Sequence, residues 1–150
     1  MKYSEIKKND YKKAEKYFLK SCKENNYSEG CYNLGISKLN SNSNNNYDKK
    51  EAPNFLIKGC NLGSAKACTK IGLLSLHGKS DIVRKDSNRA IEYFKKGCKK
   101  DFSVSCLSIA EIYFTGEDSI RKDVEKSKYY FGKACDLKNK DACSRYNQLF

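Results

Sequence analysis

Large apolar residues recur at one fixed distance before four of the cysteines, which predicts a repeated amphipathic helix. Four residues before these cysteines stand Phe18, Leu56, Phe94 and Phe131. Eight residues before them stand the small residues Ala14, Ala52, Ala90 and Ser127. Because positions four and eight apart share one helix face, each cysteine is expected on the apolar face of its helix.

A second helix is predicted to begin near each of the other four cysteines. Three residues after them stand Leu34, Ile71, Ile109 and Tyr146, followed by Gly35, Gly72, Ala110 and Asn147. The small residues in this set would let a neighbouring helix approach closely. Gly78 and Gly116 are expected just past the ends of two such helices, and Asp86 and Asp123 are candidate N-caps of the next.

The cysteines themselves repeat with a period of 37 or 38 residues, which is typical of a repeat array. We therefore predict an all-α solenoid of about seven helices in antiparallel hairpins, forming one array over residues 1–150. Its parts are a partial repeat at 1–23, repeats at about 28–60, 64–98 and 102–135, and a partial repeat at 139–150. An Asn/Ser-rich loop is expected from Asn40 to Asn46.

The two cysteines of each couple are expected to form a disulfide. Residues eight apart on one unbroken helix would be about 12 Å apart, whereas a disulfide needs about 4.4–6.8 Å between Cα atoms, so the chain must turn between them. Each bond would contribute about 2.5 kcal/mol in the chain-entropy model. The predicted pairs are Cys22–Cys31, Cys60–Cys68, Cys98–Cys106 and Cys135–Cys143. Metal binding and redox activity remain alternatives, although the close couples typical of zinc sites and of redox motifs are absent.

Composition limits the classes of partner. Lys and Arg total 30 against 18 Asp and Glu, which gives a net charge of +12. Acidic residues are interspersed among the lysines, so we interpret most of this charge as solvated helix faces. No groove-reading motif points to nucleic acid, and we expect none as a partner. Peripheral contact with an anionic membrane is retained, but no transmembrane segment and no secretory signal are predicted.

Few residues are candidates for chemistry, and we predict no catalytic residue and no metal site. His77 is the only histidine and precedes Gly78, where a helix C-terminus would stabilise its charged form. Its alternative role is axial ligation of haem. Ser119 and Lys122 form a Ser-x-x-Lys match without the companion motifs of penicillin-recognising enzymes.

Tyrosines outnumber what the repeat requires. The surplus residues are Tyr11, Tyr27, Tyr32, Tyr47, Tyr113 and Tyr129. Some are expected in the core. Those that are exposed would anchor a peptide or a partner helix, because aromatic residues dominate interface hot spots.

Two segments carry a family resemblance. Arg89-Ala-Ile-Glu-Tyr-Phe-Lys-Lys-Gly-Cys98 and Ala67-Cys-Thr-Lys-Ile-Gly72 resemble Sel1-like repeats, and the paired cysteines resemble the cysteine-rich branch of that family. One group in this branch is the bacterial secreted Hcp family, associated with penicillin binding and weak beta-lactamase activity. The other consists of mitochondrial factors that assist cytochrome c oxidase assembly. The eight residues between Cys22 and Cys31 are similar to the second group.

The resemblance implies a non-enzymatic protein-binding scaffold that assists cytochrome c oxidase assembly in the mitochondrial intermembrane space. Its expected partners are respiratory-chain subunits or other assembly factors, and haem binding is implied as a further possibility through His77. No other cofactor is expected. The alternatives are a secreted or periplasmic beta-lactamase-like protein of the Hcp type and a thiol-disulfide oxidoreductase.

Overall fold

Helices make up most of the chain in the computed structural model, which describes residues 3–41, 46–79 and 81–150. Eight helices lie within these residues, where the sequence predicted about seven. They are α1 (Tyr3–Lys23), α2 (Ser28–Leu39), α3 (Asn46–Asn61), α4 (Ala65–His77), α5 (Ser87–Lys99), α6 (Ser103–Thr115), α7 (Val124–Asp136) and α8 (Lys140–Leu149). Isolated β-bridges close the loops that follow α4 and α6.

The described residues fall into two compact units, a first unit extending to Ala67 and a second unit from Cys68 to Phe150. In the first unit Cys22, Cys31 and Leu34 form a buried cluster, against which Phe18 and Phe55 pack. In the second unit the buried core includes the completely inaccessible side chains of Phe94, Phe131 and Ile109. The residues predicted four positions before the cysteines thus supply core material in both units.

Helix ends in the second unit form as the local sequence predicts. The carboxylates of Asp86 and Asp123 each accept a hydrogen bond, 3.0 Å long, from the backbone N–H three residues further on, and they cap α5 and α7. Gly78 and Gly116 follow α4 and α6 with φ angles of 68° and 74°. Glycine adopts this left-handed conformation without the steric cost that other residues incur.

Helix packing in the first unit depends on one glycine and one lysine. A Cβ atom added to Gly35 would lie 2.7 Å from Leu56 Cδ2, so α2 and α3 approach more closely than a side chain would permit. Lys38 joins three helices, because its Nζ lies 2.6 Å from Glu15 of α1 and 3.0 Å from Asp48 of α3. Burial lowers the pKa of Lys38, but hydrogen bonds to the two carboxylates outweigh this and raise the pKa above its ordinary value.

The predicted Asn-rich loop is only partly described. Residue Asn40 is the C-cap of α2, α3 begins at Asn46, and residues 42–45 lie outside the described residues.

Candidate functional site

The disulfides lie where one helix ends and the next begins. The Cα atoms are 4.5 Å apart in Cys22–Cys31, 4.8 Å apart in Cys98–Cys106 and 4.5 Å apart in Cys135–Cys143. In each case the first cysteine is the penultimate residue of its helix and the second is the fourth residue of the next helix. Cys60 and Cys68 occupy the same positions in α3 and α4, and both are disulfide-bonded.

Cys135 and Cys143 are less buried than the other six cysteines. Cys22, Cys31 and Cys106 have no exposed surface, and Cys98 is 2% exposed. Cys60 and Cys68 are also buried, whereas Cys135 and Cys143 are half-buried. Within the described residues no cysteine is free, and no group of three or more His, Cys, Asp or Glu side chains could hold a metal ion.

His77 is the exposed last residue of α4. A haem iron here would meet one imidazole, and the thiolate that could supply a second axial ligand is lacking because the cysteines are disulfide-bonded. His77 alone could supply one proximal ligand, so haem binding at this residue stays a prediction.

The Ser-x-x-Lys match does not form a nucleophile and base pair. Ser119 is exposed, and its Oγ accepts a hydrogen bond of 2.7 Å from the side-chain amide of Asn88. The Lys122 ammonium lies 5.1 Å from the centre of the Phe114 ring. The two side chains thus contact different partners, and neither orients the other for acyl transfer.

One concave surface of the second unit is a groove between α5 and α7, which we call the α5–α7 groove. It has a volume of about 170 Å³ and is lined by Lys95, Cys98, Lys99, Tyr129, Tyr130 and Lys133. Three of these six side chains are lysines and none is acidic. The groove therefore combines positive charge with aromatic surface.

A larger and more open groove adjoins it, between α7 and α8, which we call the α7–α8 groove. Its volume is about 520 Å³, and it is lined by Glu125, Lys128, Tyr129, Gly132, Lys133, Asp136 and Tyr146. Tyr129 and Lys133 line both grooves. Here lysines alternate with carboxylates, so the charge is mixed.

Tyr129 is 63% exposed and contacts a neighbouring aromatic ring. Its ring meets Tyr130 edge-on at 5.0 Å between centroids, and Tyr130 stacks on Tyr113 at 6.3 Å. Burial, followed by the neighbouring tyrosines, raises the pKa of Tyr130, so its hydroxyl remains protonated at neutral pH. Tyr129 therefore offers an exposed aromatic surface whose ring contacts that of the more buried Tyr130.

The surplus tyrosines divide between surface and interior. Tyr11 and Tyr27 are each 65% exposed, like Tyr129, whereas Tyr32 and Tyr113 are half-buried. The side chain of Tyr47 lies outside the described residues. The repeat pattern places Lys133 at a shared position that is expected to face solvent, whereas Lys95 and Lys99 were not singled out and their four-residue spacing was the available signal.

Among the described helices, none combines the length and the apolar composition that a membrane span requires.

A protein-family model matches three segments of the chain. The model described as the Sel1 repeat matches residues 3–26, 65–102 and 103–139.

Curated relatives align along most of the chain. Cytochrome c oxidase assembly factor 7 from Xenopus tropicalis is 30% identical over 151 residues, which cover 99% of this chain and 65% of that protein. The human protein of the same name is 27% identical over 124 residues, covering 80% of this chain and 53% of its own length. The chain therefore spans less than two thirds of the length of these relatives.

Solved structures show the same fold. Cysteine rich protein B from Helicobacter pylori is similar with a TM-score of 0.68 and 30% identity, over 90% of this chain and 93% of that one. A Sel1 repeat protein from Oxalobacter formigenes gives a TM-score of 0.79 at 22% identity, over 92% of this chain and 54% of that one. The predicted all-α, Sel1-like fold with short-range disulfides is confirmed.

Proposed function

Because this chain belongs to the Sel1 repeat family, we propose that it is a protein-binding scaffold that assists cytochrome c oxidase assembly. The observation that carries the proposal is the alignment of 99% of the chain with a protein named cytochrome c oxidase assembly factor 7. A homologue of that name in Drosophila melanogaster also aligns with 99% of the chain, at 27% identity. The chain covers about two thirds of the length of these two proteins.

The surface chemistry supports binding more than catalysis. Ser119 and Lys122, which have a catalytic spacing, contact Asn88 and Phe114 respectively and not each other. The α5–α7 and α7–α8 grooves instead offer tyrosines, which are enriched at protein interfaces, beside charged side chains that can pair with charges of a partner.

For the location, we propose the mitochondrial intermembrane space. The support is the chemistry of the cysteines, all of which are disulfide-bonded in the described residues. Disulfides persist in oxidising compartments and are reduced in the cytosol. Protease protection of mitochondria before and after swelling of the outer membrane tests this location. Digestion only after swelling supports it, whereas protection after swelling would contradict it.

Association with newly made complex IV subunits tests the scaffold role. Tagged protein is captured from mitochondria after reversible crosslinking, and the complex IV subunits are quantified against complex III subunits. We expect enrichment of complex IV subunits over complex III. Equal recovery of both complexes, at the level obtained with an unrelated tagged protein of the same compartment, would refute the role.

A further inference from the structure

We propose that the α5–α7 groove binds an acidic segment of a partner polypeptide. A carboxylate of that segment lies among Lys95, Lys99 and Lys133, and a neighbouring apolar side chain packs on Tyr129. This inference rests on the proposed scaffold function, for which it names the docking site and the chemistry of the occupant.

Three lysines make the α5–α7 groove positively charged. Lys95 and Lys99 are exposed on α5, and Lys133 lies opposite them on α7. In the described part of the chain, the ion pairs involve other lysines and arginines, and none includes these three ammonium groups. Three like charges around about 170 Å³ repel one another, and an entering carboxylate relieves that repulsion.

The ring of Tyr129 forms an aromatic part of the groove lining. Tyr129 is 63% exposed, yet its ring is held by an edge contact of 5.0 Å with Tyr130. A tyrosine side chain has only two torsion angles to fix and loses little conformational entropy when a ligand packs on it, so it is a suitable interface anchor. The position of Tyr129 beside three lysines favours a segment in which an acidic residue neighbours an apolar one.

The shape favours a polypeptide over other polyanions. A groove of about 170 Å³ accepts a side chain that projects from an extended polypeptide. A nucleic-acid strand leaving the groove across Tyr129 would meet Glu125 and Asp136 in the adjoining α7–α8 groove. Those carboxylates repel a continuous phosphate backbone but leave room for a peptide of mixed composition.

Direct binding of a defined peptide tests the inference. The probe is a fluorescein-labelled peptide of about ten residues, composed of Asp and Glu with one central Phe, measured by fluorescence anisotropy. The groove variant carries Lys95→Glu, Lys99→Glu and Lys133→Glu. The matched control carries Lys12→Glu, Lys13→Glu and Lys16→Glu, an equal change of charge on exposed positions of α1.

We expect the groove variant to bind the peptide at least about tenfold more weakly, and the control to change its affinity by less than about threefold. Equal weakening in both variants would overturn the inference, since net charge alone would then explain binding. A single-stranded DNA oligomer and vesicles containing phosphatidylglycerol are titrated in parallel. If either of them, and not the peptide, loses affinity in the groove variant, the occupant is not an acidic polypeptide.

A second variant guards against misfolding. Tyr129→Ala leaves every charge in place and alters a largely exposed side chain, so the helical circular dichroism should be unchanged. We expect it to weaken peptide binding about fivefold or more, because the anchor ring is lost. Unchanged affinity in this variant would contradict the aromatic part of the inference. Carbodiimide coupling, which joins amines to carboxylates, should map the peptide to Lys95, Lys99 or Lys133.

The outcomes separate this inference from the proposed function. Capture of complex IV subunits together with failure of the peptide to bind would overturn the groove assignment alone. Peptide binding that depends on Lys95, Lys99 and Lys133, without capture of complex IV subunits, would overturn the assembly role and leave the groove assignment standing.

Discussion

Gly72 of α4 lies directly against the ring of Phe94 of α5, and a Cβ atom added to Gly72 would be 2.7 Å from Phe94 Cε1. Phe94 is completely buried, so its ring has little freedom to move away. The same relationship holds between Gly35 and Leu56 in the first unit. In both units the glycine stands four positions after the second cysteine of one couple. The large residue that packs on it stands four positions before the first cysteine of the next couple, and this contact sets the distance between the two helices.

Gly72→Ala should lower the stability of the protein although alanine is the better helix former. Overpacking a core costs about 1–3 kcal/mol, against a gain in helix propensity of up to about 1 kcal/mol. We expect a net loss that lowers the thermal midpoint by a few degrees, measured by circular dichroism.

Gly132→Ala is the matched control for this substitution. A Cβ atom at Gly132 would lie 3.4 Å from Tyr146 Cε2, an ordinary contact, so the propensity gain of up to about 1 kcal/mol should raise the midpoint. If both substitutions shift the midpoint in the same direction, the close approach of Gly72 and Phe94 does not determine the packing.

The disulfides should differ in their resistance to reduction. Cys135 and Cys143 are half-buried, whereas each of the other six cysteines is no more than 4% exposed. Thiol-disulfide exchange requires access of the attacking thiolate to a sulfur, so the Cys135–Cys143 bond should open first. Titration with dithiothreitol, followed by alkylation and peptide mass spectrometry, measures the order. Reduction of all four bonds over one concentration range would contradict the prediction.

Lys38→Met should destabilise the first unit. Methionine is an unbranched side chain of similar length, but it lacks the ammonium group that lies 2.6 Å from Glu15 and 3.0 Å from Asp48. We expect a loss of about 1 kcal/mol in the free energy of unfolding, at the upper end for partly exposed ion pairs. Lys20→Met, which changes an exposed lysine of α1, is the control and should be nearly neutral. Equal effects of the two substitutions in urea unfolding would disprove a specific role for Lys38.

Acidification should remove the contribution of the Asp123 cap to the stability of the protein. A hydrogen bond from the backbone N–H of Lys126 is the main cause that lowers the pKa of Asp123 below its ordinary value of 3.8. Because the pKa of Asp123 is lower in the folded state, its carboxylate stabilises the protein at pH values above its ordinary pKa. This stabilisation is lost as the pH falls through the pKa of the folded state. Asp123→Asn keeps a cap acceptor without a titrating group.

The thermal midpoints of the wild type and Asp123→Asn, measured from about pH 7 down to about pH 3, test this linkage. We expect the wild type to lose stability relative to the variant on acidification. A constant difference between the two midpoints would show that Asp123 does not titrate with folding.

The repeat pattern predicts helix ends well where local interactions decide them, and less well where a tertiary contact does. Asp86 and Asp48 stand at the same distance before the first cysteine of their couple. Asp86 caps α5, but α3 begins at Asn46, so Asp48 lies inside the helix and accepts a hydrogen bond from Lys38 instead. An ion pair with a distant helix is not visible in a local cap motif.

The candidate binding surface shows the same limit. The sequence singled out Tyr113 and Tyr129 together, but only Tyr129 is largely exposed, because Tyr113 stacks on Tyr130. Tyr129 and Tyr130 are adjacent and differ by about 100° around the helix, so their burial depends on how α7 is rotated against its neighbours. The lysines of α5 reach this surface only through tertiary packing, which spacing along the chain does not encode.

Complex IV abundance in cells that lack this protein tests the central claim most directly. Native gels quantify complex IV against complex III in the deletion strain, in that strain with the wild-type protein restored, and in that strain with the Lys95, Lys99 and Lys133 variant. We predict that deletion lowers complex IV with complex III unchanged, and that the wild-type protein restores it. Complex IV at its normal level in the deletion strain would contradict an assembly role.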